Sequence, residues 1–120
     1  MAQLEQELHE YFTGGRGTFS VAIALRGTPF QLRVWHELRQ IPRGVTISYA
    51  ELAERIGSPA AVRAVGQANR VNPVAIVIPC HRVIAADGSL HGYAGGHAVK
   101  RRLLELEGAL SSDHPLLAAG

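Results

Sequence analysis

The sequence predicts a single mainly α-helical domain of the α+β class, and three observations predict it. Two capping boxes, Thr28-Pro29-Phe30-Gln31 and Ser48-Tyr49-Ala50-Glu51, each precede an apolar helical stretch. Two short helices are joined by Gly57-Ser58-Pro59, which is the spacing of a helix-turn-helix. Asp87-Gly88 is typical of a β-hairpin turn. We therefore expect a winged-helix-like three-helix bundle with a helix-turn-helix and a short hairpin.

The first 26 residues predict one helix and one strand. Residues 3–12 place Leu4, Leu8 and Tyr11 on one helical face, and Thr13-Gly14-Gly15 ends the helix. An alternation of apolar and small residues then predicts a strand. Its apolar positions are Phe19, Val21, Ile23 and Leu25.

The second predicted helix begins with a complete capping box. Thr28 is its N-cap, Pro29 occupies the first helical position, and Gln31 closes the box. Pro42-Arg43-Gly44 ends it. Its core positions are Phe30, Val34, Leu38 and Ile41.

The helix-turn-helix follows. Its first helix opens at Ser48, ends near Ile56 and is capped by Gly57. Ser58-Pro59 is expected to start the second, which runs to about Arg70. That helix is built mostly of small residues, Arg63-Ala64-Val65-Gly66-Gln67-Ala68-Asn69. Such residues let a helix backbone approach DNA closely, although tight packing against a neighbouring helix would produce the same pattern.

The last third carries the reactive groups. An apolar run, Val74 to Ile78, predicts a buried strand that leads into Pro79-Cys80-His81-Arg82. The hairpin is expected to pair residues 83–86 with 89–91. A glycine-rich loop, Tyr93-Ala94-Gly95-Gly96, precedes a last helix over residues 97–107 that is capped by Gly108. We expect that helix to turn inward Val99, Leu103 and Leu106.

Bulk composition bounds the class of protein. Apolar residues make up 47% of the 120 and charged residues 18%, as in ordinary globular domains. No apolar run has bilayer length, and the N-terminus lacks the pattern of a secretion signal. A single cysteine cannot form an internal disulfide, so a cytoplasmic location is expected.

The charge distribution indicates a polyanionic partner or a solvated face. Residues 1–57 hold six Lys/Arg and six Asp/Glu, whereas residues 58–103 hold six Lys/Arg and one acid, Asp87. The six basic residues are Arg63, Arg70, Arg82, Lys100, Arg101 and Arg102.

Cys80 is the candidate nucleophile. A thiol with its ordinary pKa of about 8.5 is mostly protonated at neutral pH, so a reactive cysteine needs a base or a positive charge nearby. His81 is adjacent, but neighbours in an extended segment point to opposite faces. Contact therefore requires a turn at Pro79-Cys80 or a bridging water. A carboxylate would orient His81, and spacing alone does not separate Glu105 from Glu107.

The motifs together resemble one known family. Pro79-Cys80-His81-Arg82-Val83 is similar to the active-site signature of the O6-alkylguanine-DNA alkyltransferases. Further blocks resemble the family in the same order, over roughly residues 27–109. They are Ile47-Ser48-Tyr49-Ala50-Glu51-Leu52-Ala53, Arg63-Ala64-Val65-Gly66, Asn72-Pro73, Gly92-Tyr93-Ala94-Gly95-Gly96 and Leu103-Leu104-Glu105-Leu106-Glu107-Gly108.

The resemblance implies a role for individual residues at the reaction centre. Cys80 would accept the alkyl group, Glu107 would polarise His81, and His81 would deprotonate the thiol through a water. Tyr49 would crowd the adjacent phosphate and protonate the leaving base, and Asn72 would brace the turn before Cys80.

Other residues would bind the substrate. Arg63 would enter the duplex in place of the extruded guanine. The DNA-contacting set is expected to be Arg63, Tyr49, Ala64, Gly66, Gln67 and Arg70. The guanine pocket is expected to be formed by Val83, Tyr93, Ala94 and Gly95.

The implied reaction is one transfer per molecule. The target atom lies inside the base stack, so the nucleotide must be flipped out of double-stranded DNA that contains O6-alkylguanine. The thioether product has no hydrolysable bond. No metal or organic cofactor is required, and a monomer is expected. Residues 1–26 resemble the end of an N-terminal domain that family members commonly carry, residues 27–109 form the DNA-binding and transfer domain, and residues 110–120 are expected to be a flexible tail.

Three other hypotheses remain. Short alkyltransferase-like proteins bind alkylated guanine without repairing it, but they commonly have tryptophan at the position of Cys80. A helix-turn-helix transcription regulator would need more base-reading side chains on its second helix. A zinc site formed by Cys80, His91 and His97 has no recognised ligand spacing.

Overall fold

The computed structural model describes residues 2–21, 23–85 and 97–109 and is mainly helical. The helices are α1 (Ala2–Gly14), α2 (Pro29–Leu38), α3 (Tyr49–Arg55), α4 (Val62–Arg70) and α5 (His97–Glu107), with a 3₁₀ turn at Cys80–Arg82. Two short strands, β1 (Ile47–Ser48) and β2 (Val83–Ile84), form a small sheet. The predicted class, a helical domain with a helix-turn-helix (α3 and α4) and little sheet, is confirmed.

The small sheet is parallel, which the sequence did not indicate. Ile47 pairs with Val83, and Ser48 pairs with Ile84. This pairing joins the entry of α3 to the residue that follows the 3₁₀ turn. The hairpin predicted for residues 83–91 and the tail of residues 110–120 lie largely or wholly outside the described residues.

The main core lies between α2, α3, α4 and the 3₁₀ turn. Val34, Leu38 and Ile41 are fully buried and Phe30 packs against them, as predicted. Cys80 belongs to the same cluster. The candidate nucleophile is therefore held by the core and not by a surface loop.

The predicted helix caps are present. The Thr28 side chain accepts from the backbone N–H of Gln31 at 3.1 Å, and the Gln31 side chain accepts from the N–H of Thr28 at 3.0 Å. Ser48 accepts from the N–H of Glu51 at 3.0 Å. The Glu51 carboxylate binds Arg55 at 2.6 Å, so only this half of the second predicted capping box is present. Gly57 ends α3 with a φ of 77°, where glycine carries no steric penalty.

The second helix of the helix-turn-helix begins later than predicted, at Val62 and not at Ser58-Pro59. The N–H of Ser58 is bonded to the carbonyl of Ala53 at 2.9 Å, and the N–H of Gly57 to that of Glu54 at 3.0 Å. Ser58 therefore completes the C-terminal cap of α3, so it does not start α4.

The strand predicted from Phe19 to Leu25 is absent from the described part of that segment. Phe19 and Val21 are buried, as the alternation implied. Their backbone bonds elsewhere, however: the Glu7 carboxylate accepts from the N–H groups of Ser20 at 3.1 Å and Val21 at 3.0 Å. A side chain of α1 thus satisfies donors that a strand partner would have taken.

The strand predicted from Val74 to Ile78 is also wrong, because the segment turns. Its described backbone has one isolated bridge, between Ala75 and Ile78, and Ile76 has a φ of 72°. Asn72 donates to the carbonyl of Ile78 at 2.7 Å and accepts from the N–H of Val74 at 3.0 Å. This side chain closes the turn and so prevents an extended run.

Helix α5 has the predicted bounds but a different buried face. Val99 is 47% exposed and Leu106 is 40% exposed, whereas Leu103 is buried as predicted. The buried face consists of Lys100, Leu103, Leu104 and Glu107. Two of these four residues are charged. Apolar spacing alone therefore rotated the predicted buried face away from Lys100 and Glu107 and towards Val99 and Leu106.

No helix in the described part of the chain is both long enough and apolar enough to cross a membrane.

Candidate active site

Cys80 stands at the first position of the 3₁₀ turn and is 4% exposed. The turn is closed by bonds from the N–H of Arg82 to the carbonyl of Pro79 at 3.0 Å and from the N–H of Cys80 to that of Ile78 at 2.8 Å. Asn72, which holds the carbonyl of Ile78, fixes the approach to this turn. The backbone turns at Cys80, and within the described residues no hydrogen bond joins the thiol to Nδ1 of His81, so a bridging water is still compatible with this geometry.

His81 is fully buried and bonded to Glu107. The distance from its Nε2 to Glu107 Oε2 is 2.6 Å. A carboxylate can only accept, so Nε2 carries the hydrogen and Nδ1 is the acceptor in the neutral ring. Nδ1 is buried and has no hydrogen-bond partner among the described residues. Burial lowers the pKa of His81 more than Glu107 raises it, which favours the neutral base.

The carboxylate of Glu107 accepts from three side chains. Arg82 binds it with two bonds of 2.9 Å, from Nε to Oε1 and from Nη2 to Oε2. The hydroxyl of Tyr11 donates to Oε2 at 2.6 Å. Burial alone would raise the pKa of Glu107, but the bonds from His81, Arg82 and Tyr11 lower it to about 2. Glu107 is therefore ionised at neutral pH.

Glu105, which spacing could not separate from Glu107, takes no part in this cluster. It is exposed, and its carboxylate lies 3.9 Å from Nε of Arg101. The structure thus brings Glu107, and not Glu105, to His81.

Lys100 is a buried cation beside the thiol. Its Nζ donates to the carbonyl of Val83 at 2.6 Å and lies 5.9 Å from the ring centre of Tyr49. Burial lowers the pKa of Lys100 to about 8, and a thiolate at Cys80 would oppose that shift. A cation in this position favours the thiolate form of Cys80.

Tyr49, at the first position of α3, is partly buried near the same centre. Burial raises the pKa of Tyr49, a thiolate at Cys80 would raise it further, and a hydrogen bond from Asn69 opposes the rise. Asn69 is itself buried on α4 and donates to the carbonyl of Cys80 at 3.3 Å. The second helix of the helix-turn-helix is thereby bonded to the backbone of the candidate nucleophile.

One face of α4 is open to solvent. The positions Arg63, Gly66, Gln67 and Arg70 share a face at helical spacing; Gly66 is partly buried and the other three are exposed. Ala64 beside them is also exposed, while Val65, Ala68 and Asn69 turn inward. The indole N–H of Trp35, on α2, donates to the carbonyl of Ala68 at 2.9 Å and so bonds α4 to α2.

The basic residues between positions 58 and 103 include both buried and exposed side chains. Arg82 and Lys100 are buried and bonded inside the site, so they do not contribute to a polyanion-facing surface as the charge count suggested. Arg63, Arg70 and Arg102 are exposed.

Several predicted residues lie outside the described part of the chain. They include the pocket residues Tyr93, Ala94 and Gly95, and His91 of the alternative zinc site. The side chain of His97 is not described either. Within residues 2–21, 23–85 and 97–109, no group of three or more His, Cys, Asp or Glu side chains is arranged to hold a metal ion.

Sequence reasoning did not assign four of the residues that meet here to the site. Tyr11 was assigned to an apolar helix face, Arg82 and Lys100 to a basic surface, and Asn69 to a surface helix. Their contacts in the site join residues distant in sequence or buried charges, and no local pattern signals either.

Comparison with known proteins identifies the family. Residues 29–109 match the profile described as the 6-O-methylguanine DNA methyltransferase, DNA binding domain. The chain belongs to the 6-O-methylguanine DNA methyltransferase family. It is 57% identical over 101 residues to the methylated-DNA--protein-cysteine methyltransferase of Mycobacterium tuberculosis, covering 84% of this chain and 61% of that protein. It is 51% identical over 108 residues to the constitutive enzyme of Bacillus subtilis, covering 89% and 66%.

Several solved structures share the fold. The crystal structure of Mycobacterium tuberculosis OGT in complex with DNA has a TM-score of 0.86 at 54% identity, covering 90% of this chain and 67% of that one. S. pombe Atl1 in complex with damaged DNA containing O6-carboxymethylguanine has a TM-score of 0.59 at 34% identity, covering 70% and 80%. The chain spans about three fifths of the length of the mycobacterial relatives it matches.

Proposed function

We propose that this protein repairs DNA by transferring the alkyl group of O6-alkylguanine to Cys80, once per molecule. The observation that carries the proposal is the buried Cys80–His81–Glu107 arrangement, in which the 2.6 Å bond to Glu107 leaves Nδ1 of His81 as the accepting nitrogen beside the cysteine turn. Relatives at 57% and 51% identity named methylated-DNA--protein-cysteine methyltransferases support it.

The proposed reaction is an in-line displacement at the alkyl carbon. The proton of Cys80 passes to Nδ1 of His81, through a water in the arrangement we favour, and the ionised Glu107 stabilises the resulting imidazolium. The thiolate then forms a bond to carbon as the bond from carbon to O6 of guanine breaks. Tyr49 donates a proton to the leaving base. The charge of Lys100 favours the thiolate before attack.

No further reagent is required to balance this step. The electron pair of the carbon–oxygen bond leaves with guanine, and the product is a thioether that water does not cleave. We therefore propose that the protein acts without a metal or organic cofactor and is consumed after one transfer. We also propose a monomer acting in the cytoplasm.

DNA binding is proposed for the exposed face of α4. Its small residues permit close approach of the helix, and Arg63 and Arg70 supply positive charge. We propose that Arg63 fills the gap left by the flipped guanine, which offsets part of the few kcal/mol that flipping costs. Asn69, which joins α4 to the carbonyl of Cys80, keeps this face in register with the thiol.

The intact mass of the protein tests the proposal. After incubation with a duplex that holds one O6-methylguanine, the mass is expected to rise by a single methyl group. The Cys80→Ser variant should bind the duplex without gaining mass. Tight binding of the unchanged protein with no mass increase would instead support a lesion-binding role like that of the alkyltransferase-like proteins.

A second measurement isolates the proposed role of Arg63. Arg63→Ala should slow transfer from duplex DNA far more than transfer from a free O6-alkylated base, because only the duplex requires the gap to be filled. Equal losses on both substrates would contradict the role in flipping. Arg55→Ala on α3 is the matched control, since Arg55 is paired with Glu51 at 2.6 Å.

A further inference from the structure

The carboxylate oxygen that faces His81 has a donor from the opposite end of the chain. Oε2 of Glu107 accepts from Nε2 of His81 at 2.6 Å, from Nη2 of Arg82 at 2.9 Å and from the hydroxyl of Tyr11 at 2.6 Å. Tyr11 lies in α1, outside residues 29–109 that match the family profile. A residue outside the matched domain therefore touches the carboxylate of the candidate centre.

Tyr11 is fixed in place by its surroundings. It is fully buried, and its ring packs against the rings of Phe12 and Phe19 with centres 5.0 and 5.9 Å apart. The guanidinium of Arg43 lies 4.8 Å from the centre of the same ring. Nη1 of Arg43 donates to the carbonyl of Tyr11 at 3.2 Å, and Nη2 donates to that of Leu106 at 3.1 Å. Arg43 thus joins α1 to the end of α5 directly beside Glu107.

The hydroxyl dipole of Tyr11 has a definite electrostatic effect. Its hydrogen points at an oxygen that also faces the imidazole, so it compensates part of the negative charge that stabilises protonated His81. Among the described residues, the other charged or titratable groups near the pair are Arg82 in the 3₁₀ turn, Lys100 on α5, Cys80 and Arg43. All of these except Cys80 are cations that do not leave when Tyr11 is changed. Tyr11 is the neutral donor whose effect is removed by deleting one oxygen atom.

We propose that Tyr11 is a positioning residue for the alkyl-transfer centre proposed above, on which this inference rests: its hydroxyl holds the Glu107 carboxylate against His81 and limits how strongly that carboxylate stabilises the imidazolium. The first 28 residues then contribute to the reactivity of Cys80 as well as to the core. The pKa of His81 then depends on Tyr11 in α1 as well as on Glu107 in α5.

Titration of His81 by NMR in the full chain tests the proposal. The signal of His81, one of six histidines, is assigned by its loss in His81→Gln. In Tyr11→Phe the pKa of His81 is expected to rise by roughly 0.5 to 1 unit, a fraction of the strength of a hydrogen bond to a charged group. The acid limb of the pH–rate profile for methyl transfer should move to higher pH by the same amount.

The matched control removes a hydroxyl elsewhere on the same helix. Thr13→Val deletes an exposed hydroxyl that donates only to the carbonyl of His9 at 2.7 Å, and it should leave the titration of His81 unchanged. An unchanged or lowered pKa of His81 in Tyr11→Phe would overturn the proposal and leave Tyr11 a packing residue. A purely structural role would reduce stability without moving this titration.

Two features keep the test decisive. If Tyr11→Phe does not fold, 3,5-difluorotyrosine at position 11 is a stronger donor and should lower the pKa of His81; a rise would overturn the proposal. If the wild-type protein transfers no methyl group, the proposed function fails, but the titration of His81 still decides whether Tyr11 tunes it.

Discussion

Replacing Glu107 by Gln is expected to destabilise the fold by about 3 to 5 kcal/mol, the usual cost of removing one partner of a buried ion pair. Arg82 is 1% exposed and donates twice to this carboxylate at 2.9 Å. An amide has one accepting oxygen and an NH₂ group that is itself a donor. In either orientation of the amide, therefore, an N–H meets a donor from Arg82, His81 or Tyr11.

Arg82 keeps two other partners, the carbonyls of Ile41 at 2.7 Å and Gly17 at 3.3 Å. These bonds satisfy one N–H on Nη1 and one on Nη2, but not the N–H of Nε, which donates to Glu107. They also do not neutralise the charge, so most of the loss should remain. Urea unfolding followed by the fluorescence of Trp35, the single tryptophan and 2% exposed, measures it directly. A loss below about 1 kcal/mol would refute the reasoning, because losses that small are typical of exposed ion pairs.

A double-mutant cycle separates the pair from its surroundings. Arg82→Met and Glu107→Leu should each destabilise strongly alone, since each leaves a buried charge without its partner. The double variant should lose less than the sum, with a coupling of about 2 kcal/mol. Additive losses would mean that the two side chains act on stability independently.

Three further predictions follow from the same contacts. Glu7 and Glu107 have a pKa of about 2 in the folded chain, against an ordinary 4.5. Their contribution to stability is therefore complete above pH 4.5 and is lost as the pH falls towards 2. Urea unfolding across that pH range would detect the loss. Gly44→Ala should lower the free energy of unfolding by about 1 to 3 kcal/mol, because Gly44 has a φ of 85° and a Cβ there would lie 3.2 Å from the carbonyl of Glu107. Gly14→Ala is the control: its Cβ meets no atom within 4 Å, so it should be near neutral. Arg70→Ala should reduce the slope of log binding constant against log salt by about 1 if α4 faces the phosphates, and an unchanged slope would contradict that orientation.

The sequence predicted the elements whose formation depends on local chemistry. The caps at Thr28, Ser48 and Gly57 and the extent of α5 follow from neighbouring residues, and the structure has them. The fold class follows from these elements in order.

The two wrong strand predictions share one physical cause, which is that a polar side chain outside the apolar run bonds the backbone of that run. Apolar alternation predicts a strand only where the backbone has a strand to pair with. The carboxylate of Glu7 takes the donors of residues 20 and 21, and the amide of Asn72 closes residues 74–78 into a turn. Periodicity contains no information about such bonds.

The candidate site was predicted in part. Spacing pointed to Cys80 and His81 but left Glu105 and Glu107 tied, and the family resemblance chose Glu107. The contact between Tyr11 and Glu107 joins residues 96 apart, and Lys100 is a cation on a buried face. Neither a long-range pair nor a buried charge is visible to local pattern rules, so both required the fold.

The stoichiometry of transfer tests the central claim most directly. The protein is incubated with an excess of duplex that carries radiolabelled O6-methylguanine, and the label bound to protein is followed to its plateau. The account predicts one methyl group per chain, located on the tryptic peptide of residues 71–82 that contains Cys80. Label released continuously beyond one equivalent, or a plateau on any other peptide, would contradict it.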